Sequence, residues 1–313
     1  MKRITFNLGF TIIFTLTFFL LINTFSNVLV QALPTEEAPK PKPFLPGESL
    51  HISSCQKWSS HIRDFKVKDG EEAKQITILL YHRIIDDSAI KDIHYTKEGE
   101  LYPTIVLKSE FKKQMQYLKD QGYTTLTNEE LKLFIQNRHK IPKKSIVITF
   151  DDGFKDNYEE AYPILKKHEF TALNFVIASY ITKNTMEYKE GEVQYFSASD
   201  IKNSCDVFEF QSHTYNLHKR TKEGVAFLVD RDQQQIKEDL KTSIEVIRPV
   251  RPTFAYPYGE YDKEARNALK QLNIGMAFTS EFKDTGPNIS MLEIPRKPVY
   301  PTDTIEDFKK KIK

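Results

Sequence analysis

Ser145-Ile-Val-Ile-Thr-Phe-Asp-Asp-Gly153 is the stretch from which the fold can be inferred. Its first half is apolar and rich in β-branched residues, which predicts a strand buried on both faces of a parallel sheet. It ends in two carboxylates, Asp151 and Asp152, and chemistry in α/β sheets and barrels lies beyond the carboxyl ends of the strands. A turn at Gly153 would let both acids face one mouth. Asp-Gly after a strand is also ordinary turn chemistry, and for this stretch alone that interpretation is favoured.

Two histidines follow a second strand-like segment, Phe208-Glu-Phe-Gln-Ser-His-Thr-Tyr-Asn-Leu-His218. Their spacing does not fit one helix face, where ligand pairs are four residues apart, but it fits a strand end and the following turn. Each histidine by itself is more often a packing or surface residue. Two imidazoles and one carboxylate, however, form a three-ligand open site for zinc or a facial triad for ferrous iron.

A third strand–turn segment is Arg251-Pro-Thr-Phe-Ala-Tyr-Pro-Tyr-Gly259. Together with Thr149–Gly153 and His213–His218 in the same order, it makes the chain similar to the polysaccharide deacetylases (NodB-homology, carbohydrate esterase family 4). The resemblance runs from about Ile76 to the C-terminus. It implies an α/β fold, a distorted (β/α)7 barrel of the NodB-homology type. The repeated strand–helix units along the chain independently predict a parallel sheet.

The resemblance also implies roles for the motif residues. Asp151 would be the general base, and the metal ligands would be Asp152, His213 and His218. Zn²⁺ is favoured as the divalent metal, with Co²⁺, Ni²⁺ and Fe²⁺ as alternatives, because borderline N/O ligand sets accept several ions. The implied wall of the sugar groove, where the backbone N–H of Tyr258 would contact the oxyanion, consists of Pro257, Tyr258 and Gly259.

A further histidine stands at the end of the first predicted strand, Gln75-Ile-Thr-Ile-Leu-Leu-Tyr-His82. From spacing alone, a packing histidine that bonds a loop carbonyl is favoured. The resemblance changes this interpretation, because deacetylases of exported poly-N-acetylglucosamine carry such a Tyr-His near the start of a circularly permuted fold. In those proteins the histidine is the general acid. No histidine follows His218 in this chain, so His82 is the one placed for that role.

One position departs from the common family pattern. Many members have an arginine four residues before the motif glycine, bonded to the catalytic aspartate, and here Ala255 occupies that position, as in the poly-N-acetylglucosamine deacetylases. Arg296, in Leu292-Glu-Ile-Pro-Arg296, could supply the missing charge from another strand. It could equally be an ordinary surface or loop-bonding arginine, and the sequence does not separate the two.

Hydrophobic periodicity predicts the scaffold around these motifs. Thr127-Asn-Glu-Glu130 is a capping box that predicts the start of a helix. Aromatic residues between Thr182 and Asp200 could stack on sugar rings, although packing beneath the loop is favoured for them: Tyr188, Tyr195 and Phe196. Further predicted strands cover residues 171–178, 253–256 and 276–279, and further predicted helices cover residues 109–122, 157–169, 230–248 and 262–272.

The N-terminal part predicts export. Residues 1–32 combine Lys2 and Arg3 with an apolar run and a small residue at its end, which is typical of a signal peptide. An uncleaved membrane anchor is the alternative. The body would then be extracellular, either secreted or anchored to the outer face of the cytoplasmic membrane or the cell wall. Residues 33–75 predict a proline-rich, disordered tether and a loose lead-in, and residues 76–313 the catalytic domain.

Composition and charge limit the classes of molecule that the protein is expected to bind. The chain has 313 residues and a formal net charge of +2, which gives no electrostatic case for nucleic acid. Its two cysteines, Cys55 and Cys205, could pair in an exported protein or remain free, and their separation in sequence does not decide between these states.

The sequence therefore predicts metal-dependent hydrolytic N-deacetylation of an extracellular N-acetylglucosamine polysaccharide, with the poly-β-1,6-linked type favoured. The cell wall or the membrane surface would be the second partner. Peptidoglycan or chitin oligomers would be served by the same residues, and a catalytically inactive glycan-binding member is the alternative from another class. A glycosidase is disfavoured, because its paired carboxylates would leave the two histidines without a task.

Overall fold

Ten short strands form in the part of the chain that the structure describes, and the pairings between them are parallel. The computed structural model describes residues 40–52 and 54–313, so the predicted signal peptide or anchor, residues 1–32, lies outside the described residues. The strands are β1 (Thr77–Tyr81), β2 (Arg83–Ile85), β3 (Ile105–Leu107), β4 (Thr124–Thr125), β5 (Ser145–Asp152), β6 (Ala172–Val176), β7 (Phe208–Ser212), β8 (Thr253–Ala255), β9 (Met276–Phe278) and β10 (Lys297–Pro298).

Seven of these strands form one continuous parallel path, β10-β1-β5-β6-β7-β8-β9, in the part of the chain that the structure describes. β4 adds to the edge of β5, and β2 and β3 pair separately. The segment before and at β10 connects the two ends of the path, because Ile294 bridges Phe278 of β9 and the N–H of Val299 donates to the carbonyl of Leu80 at 3.0 Å. The sheet therefore curls into the predicted distorted (β/α)7 barrel, and this prediction is confirmed.

Helices cover the outside and one end of the barrel. They span Lys108–Asp120, Asn128–Ile135, Tyr162–Lys167, Ala198–Ser204, Phe227–Asp230, Gln233–Ile247, Lys263–Gln271 and Ile305–Lys311. The predicted capping box is confirmed, since Thr127 and Glu130 bond each other's backbone N–H. The helix predicted over 157–169 instead begins with a π-helical turn, Asn157–Ala161. Among the described residues, no helix has both the length and the apolar character needed to cross a membrane.

Alternate residues of β5 face different layers, as expected for a strand buried on both sides. Ile146, Ile148 and Phe150 pack in the cluster that contains residues of helix Lys108–Asp120. Val147 packs in a second cluster with Phe175, Phe278 and other interior residues of the barrel. Because Asp151 has the same parity as Val147, the strand directs its side chain into the barrel.

The segment after Lys40 differs from the expected tether and lead-in. Residues 41–313 form one compact unit, so the packed body begins well before the predicted boundary at residue 76. Phe44, Leu50 and Ile52 are buried in the cluster that also contains β5. Cys55 forms a disulfide with Cys205, which answers the question that the sequence left open.

The same segment contributes to a polar layer beside β7. The guanidinium of Arg63 binds both oxygens of Glu130, and the side chain of Gln56 donates to the carbonyl of Phe208 at 2.7 Å. Nearby, Glu209 is buried and accepts a hydrogen bond from the N–H of Asn128 at 2.8 Å. Burial raises the pKa of Glu209 to about 8.

We expect the disulfide to stabilise the fold, because it closes a loop of 150 residues in the unfolded chain. The double variant Cys55→Ser/Cys205→Ser should lose about 2–4 kcal/mol of unfolding free energy in denaturant titrations. Adding a thiol reductant should bring the wild type to the level of the variant and leave the variant unchanged. Equal unfolding midpoints of the two oxidised proteins would contradict this expectation.

A second expectation concerns pH. Because the pKa of Glu209 is raised in the folded state, the folded protein retains a proton that the unfolded chain has released between about pH 4.5 and 8. Stability contributed by protonated Glu209 should therefore decrease as pH rises through this window, by at most about 1.4 kcal/mol per pH unit. Denaturant titrations of wild type and Glu209→Gln across this range should show a difference that grows with pH. A constant difference would disprove the assignment.

Candidate metal centre and active site

The backbone at the end of β5 turns so that two adjacent acids can serve one site. Asp152 and Gly153 both have positive φ angles, 73° and 74°. A Cβ at Gly153 would approach Cγ1 of Val176 to 2.8 Å, so the position requires glycine. The sequence predicted the turn at Gly153, whereas the structure begins it one residue earlier. A left-handed backbone conformation costs a non-glycine residue about 1–2 kcal/mol. Residues strained in this way are typical of functional sites.

The structure brings together the three side chains predicted to bind metal. Oδ1 of Asp152 lies 3.1 Å from Nε2 of His218 and 3.5 Å from Nε2 of His213. One potential ligand atom from each residue falls within 4.8 Å of the others. Among the described residues, this is the one group of three histidine, cysteine or acidic side chains with that convergence.

The orientation of the two imidazoles leaves nitrogen lone pairs for a cation. Nδ1 of His213 lies 2.8 Å from the carbonyl oxygen of Ala255, so Nδ1–H donates there and Nε2 faces Asp152 as an acceptor. Burial lowers the pKa of His218 to about 4, which keeps its imidazole neutral near pH 7. Neutral imidazole is the form that coordinates metals.

These residues fit a divalent metal ion. Oδ1 of Asp152 is buried yet accepts no hydrogen bond from the described residues, despite its closeness to both histidines. A buried oxygen without a partner costs roughly 1–3 kcal/mol, and a cation would satisfy it. Two imidazole nitrogens and one carboxylate oxygen are a common donor set of catalytic zinc sites.

Arg296 forms a two-point ion pair with Asp151. Nη1 and Nη2 of the arginine each lie 2.7 Å from one carboxylate oxygen, and both side chains are buried. The guanidinium also donates to the carbonyl of Thr279 at 2.9 Å. Its carbon atom lies 5.5 Å from the ring centre of Phe175 and 5.9 Å from that of Phe278. Arg296 therefore occupies the barrel interior rather than the surface.

The ion pair controls the charge of Asp151. Burial raises the pKa of this carboxyl, but the charges of Arg296 and His213 outweigh burial and hold the pKa below its usual value. Oδ2 of Asp151 also lies 4.0 Å from Nε2 of His213, so the ionised carboxylate stands directly beside the proposed metal ligands.

His82 lies at the same rim, between β1 and β2. Tyr81 pairs with Phe150 in the parallel register of β1 and β5, so the following residues, His82 and Asp151, are neighbours on adjacent strand ends. Burial raises the pKa of Asp152, but its contact with His213 and the nearby His82 outweigh burial and hold the pKa well below its usual value. The His82 ring is thus within electrostatic range of the carboxylates.

The predicted groove wall is a tight turn, Pro257–Gly259. Tyr258 has a φ angle of 59° and is 41% exposed, and its ring centre lies 4.6 Å from that of His218. A Cβ at Gly259 would meet Oγ of Ser280 at 2.0 Å, so this turn also requires glycine. The structure thus places the exposed Tyr258 ring directly beside one proposed metal ligand.

Sequence reasoning named Tyr195 but missed three other residues around the mouth, Arg220, Tyr180 and Phe154. The guanidinium of Arg220 lies 4.0 Å from the ring centre of Tyr258. Tyr195 stacks on Phe154 at 5.3 Å and approaches Tyr180 at 4.6 Å, which forms a partly exposed aromatic group. Phe154 directly follows the motif glycine, Gly153, and this place in the sequence could have identified the aromatic group. By contrast, Phe196 is buried and packs against Phe208 and Phe210, as favoured.

Known proteins are similar to this chain in sequence and in fold. Residues 138–277 match the family model described as polysaccharide deacetylase. A poly-β-1,6-N-acetyl-D-glucosamine N-deacetylase of Staphylococcus epidermidis is 30% identical over 237 residues, which cover 72% of this chain and 79% of that protein. A Staphylococcus aureus protein of the same name is 29% identical over 226 residues and covers 70% of this chain and 76% of its own.

One solved structure extends the similarity to three dimensions. The Streptococcus pyogenes deacetylase PplD, determined in complex with acetate, is 26% identical and superposes with a TM-score of 0.64. The match covers 76% of this chain and 98% of PplD. Nearly the whole of that structure therefore has a counterpart here.

We expect Arg296 to be essential for stability as well as for the site. The variant Arg296→Met should lose about 3–5 kcal/mol of unfolding free energy, because it leaves the Asp151 carboxylate buried without its partner. The double variant Arg296→Met/Asp151→Asn, which removes both charges, should recover part of that loss in the same denaturant titration. A double variant no more stable than Arg296→Met would show that lost packing, and not the unpaired charge, causes the destabilisation.

Proposed function

Because the chain belongs to the polysaccharide deacetylase family and is a hydrolytic N-deacetylase, we propose that it deacetylates an extracellular polymer of N-acetylglucosamine, with the β-1,6-linked polymer favoured. Both staphylococcal relatives carry that substrate in their names. The observation that carries the proposal is the convergence of Asp152, His213 and His218 beside the arginine-paired Asp151.

We assign the metal site to Asp152, His213 and His218, with Zn²⁺ favoured over Co²⁺, Ni²⁺ and Fe²⁺. When bound there, a divalent cation would polarise the acetamide carbonyl and lower the pKa of a water molecule. Asp152 and the two imidazoles leave positions open for substrate and water, since three protein ligands do not complete a tetrahedral shell. The carbonyl oxygen of Ala255 accepts the hydrogen bond from Nδ1 of His213 and so fixes the tautomer that leaves Nε2 for the metal.

Asp151 is the proposed general base. Each of its oxygens uses one lone pair for Arg296, and Oδ2 faces the ligand cluster, so it retains capacity to accept a proton from the attacking water. Arg296 keeps the carboxylate ionised and oriented. This arginine therefore takes over the part that other family members give to a residue at the position of Ala255.

His82 is the proposed general acid. Attack of the water oxygen on the carbonyl carbon produces an oxyanion, for which the backbone N–H of Tyr258 is the proposed donor. The carbon–nitrogen bond then breaks while protonated His82 transfers a proton to the nitrogen, because an amide anion is too basic to leave. The products are acetate and a free amine on the sugar. The wall that holds the sugar is Pro257, Tyr258 and Gly259.

The proposed location is outside the cell. The proposed catalytic domain, residues 76–313, carries all of the motifs, and residues 41–75 pack against it within the same compact unit. An exported polymer can be reached only by an exported enzyme, and the disulfide between Cys55 and Cys205 suits an oxidising compartment. Association with the cell wall or membrane surface follows from the same location.

We expect Asp151→Asn to reduce acetate release from β-1,6-linked N-acetylglucosamine oligomers by about 10²–10⁴-fold, the usual contribution of a general base. Chelation should abolish the wild-type activity and Zn²⁺ should restore it. Asp69→Asn is the matched control, since Asp69 is a surface residue paired only with Lys140. Undiminished acetate release by Asp151→Asn would exclude Asp151 as the base.

The substrate assignment is tested by offering β-1,6- and β-1,4-linked N-acetylglucosamine oligomers and peptidoglycan to one preparation of measured metal content. We expect the highest kcat/KM for the β-1,6-linked oligomers. Preference for a β-1,4-linked substrate would reassign the polymer without changing the chemistry. A metal-loaded protein that binds these glycans but releases no acetate from any of them would instead be a glycan-binding member.

A further inference from the structure

The main chain around His82 is held by two side chains from the turn after β5. Nδ2 of Asn157 donates to the carbonyl of His82 at 2.7 Å. Oδ1 of Asp156 accepts the N–H of Ile84 at 3.3 Å. These contacts lie on either side of Arg83, directly after the histidine, at the junction between β1 and β2. The segment that follows Asp151 and Asp152 therefore also holds the junction that carries His82.

A buried ion pair also holds the junction between β1 and β2. Nε of Arg83 lies 2.7 Å from Oδ2 of Asp156, and the two side chains are only 7% and 2% exposed. The guanidinium also donates to the carbonyl of Glu192 at 2.8 Å, so it joins the junction to the loop that contains Glu192. A buried charge requires such a partner, and here both charges belong to segments adjacent to the site.

The Asn157 side chain is itself fixed from the barrel wall. Its Oδ1 accepts a hydrogen bond from Nδ2 of Asn174, on β6, at 3.0 Å. Both asparagines are buried, and the two contacts together define which end of the Asn157 amide is the donor. A continuous chain of hydrogen bonds therefore runs from β6 through Asn157 to the carbonyl of His82.

The contact that fixes residue 82 in the described part of the chain is made by its main chain, whose carbonyl accepts the hydrogen bond from Nδ2 of Asn157. The position of the ring relative to Asp151 therefore depends on the main chain that carries it. The residues that hold this main chain decide where the proton donor stands.

We propose that Asp156 and Asn157 are positioning residues that hold His82 opposite Asp151 so that it can protonate the departing amine. The inference rests on the proposed function and adds residues to it that the motifs did not identify. Acid and base are kept in register because one short segment carries both Asp151 and the side chains that hold His82. Loss of the Asn157 contact displaces the donor without touching the metal ligands, the base or the groove wall.

The decisive experiment compares two leaving groups. N-acetylglucosamine oligomers need a proton on the departing nitrogen, whereas 4-nitrophenyl acetate releases a stable anion and needs none. Asn157→Ala should lower kcat on the oligomers by about 10²-fold, the typical effect of a small misplacement, with KM and metal content unchanged. Its hydrolysis of 4-nitrophenyl acetate should stay at the wild-type level. His82→Ala should show the same selective loss.

The controls keep the outcomes distinct. Asn203→Ala, on an exposed helix face where the amide contacts only Ser199, should match the wild type with both substrates. If Asn157→Ala does not fold, Asn157→Leu takes its place, because leucine retains the volume but has no donor for the carbonyl of His82. Equal losses with amide and ester, or no loss with the amide, would overturn the positioning role alone. A wild type that releases no acetate from the oligomers would overturn the proposed function together with it.

Discussion

The buried ion pair between Asp151 and Arg296 is the constraint on which the site depends. A carboxylate pointing into a barrel interior is unfavourable unless a cation meets it with matching geometry, and the two parallel hydrogen bonds of Arg296 do so. Arg296 comes from the segment that closes the barrel between β9 and β1, and it packs against Phe175 and Phe278. The segment that closes the barrel therefore also supplies the charge that keeps the proposed base ionised.

The charge balance of the mouth explains why a metal ion suits it. Asp151 and Asp152 are adjacent carboxylates, and Arg296 neutralises only the first. With His218 neutral, the second carboxylate retains an oxygen that no described residue satisfies by hydrogen bonding. Two neighbouring carboxylates out of water cannot both remain charged without compensation, so the arginine and a cation at the proposed site would together compensate them. Asp151 would then be free of the metal and available for the proton transfer proposed for it.

The body of the enzyme is larger than its motifs suggest. Residues 41–75 contain none of the catalytic motifs, yet they pack on the barrel, enter its hydrophobic core and are joined to it by the disulfide to Cys205. At the mouth, the loop around Glu192 is fixed through Arg83 to the segment after β5. The stability of the fold and the geometry of the active-site rim thus both depend on segments that are far from the three motifs in sequence.

Much of this protein follows from sequence alone, because the relevant signals are local. Buried apolar runs predicted β1 and β5 to β9, but not the short strands β2, β3, β4 and β10. Thr127-Asn-Glu-Glu130 predicted a helix start, and the motif residues at strand ends identified the set of candidate ligands. Tertiary structure alone decided which distant groups meet: Arg296 with Asp151, Cys55 with Cys205, and Asn157 with His82. Each of these contacts depends on how the barrel closes and on how its loops pack. Separation along a chain carries no information about distance in space, so no local pattern could have specified them.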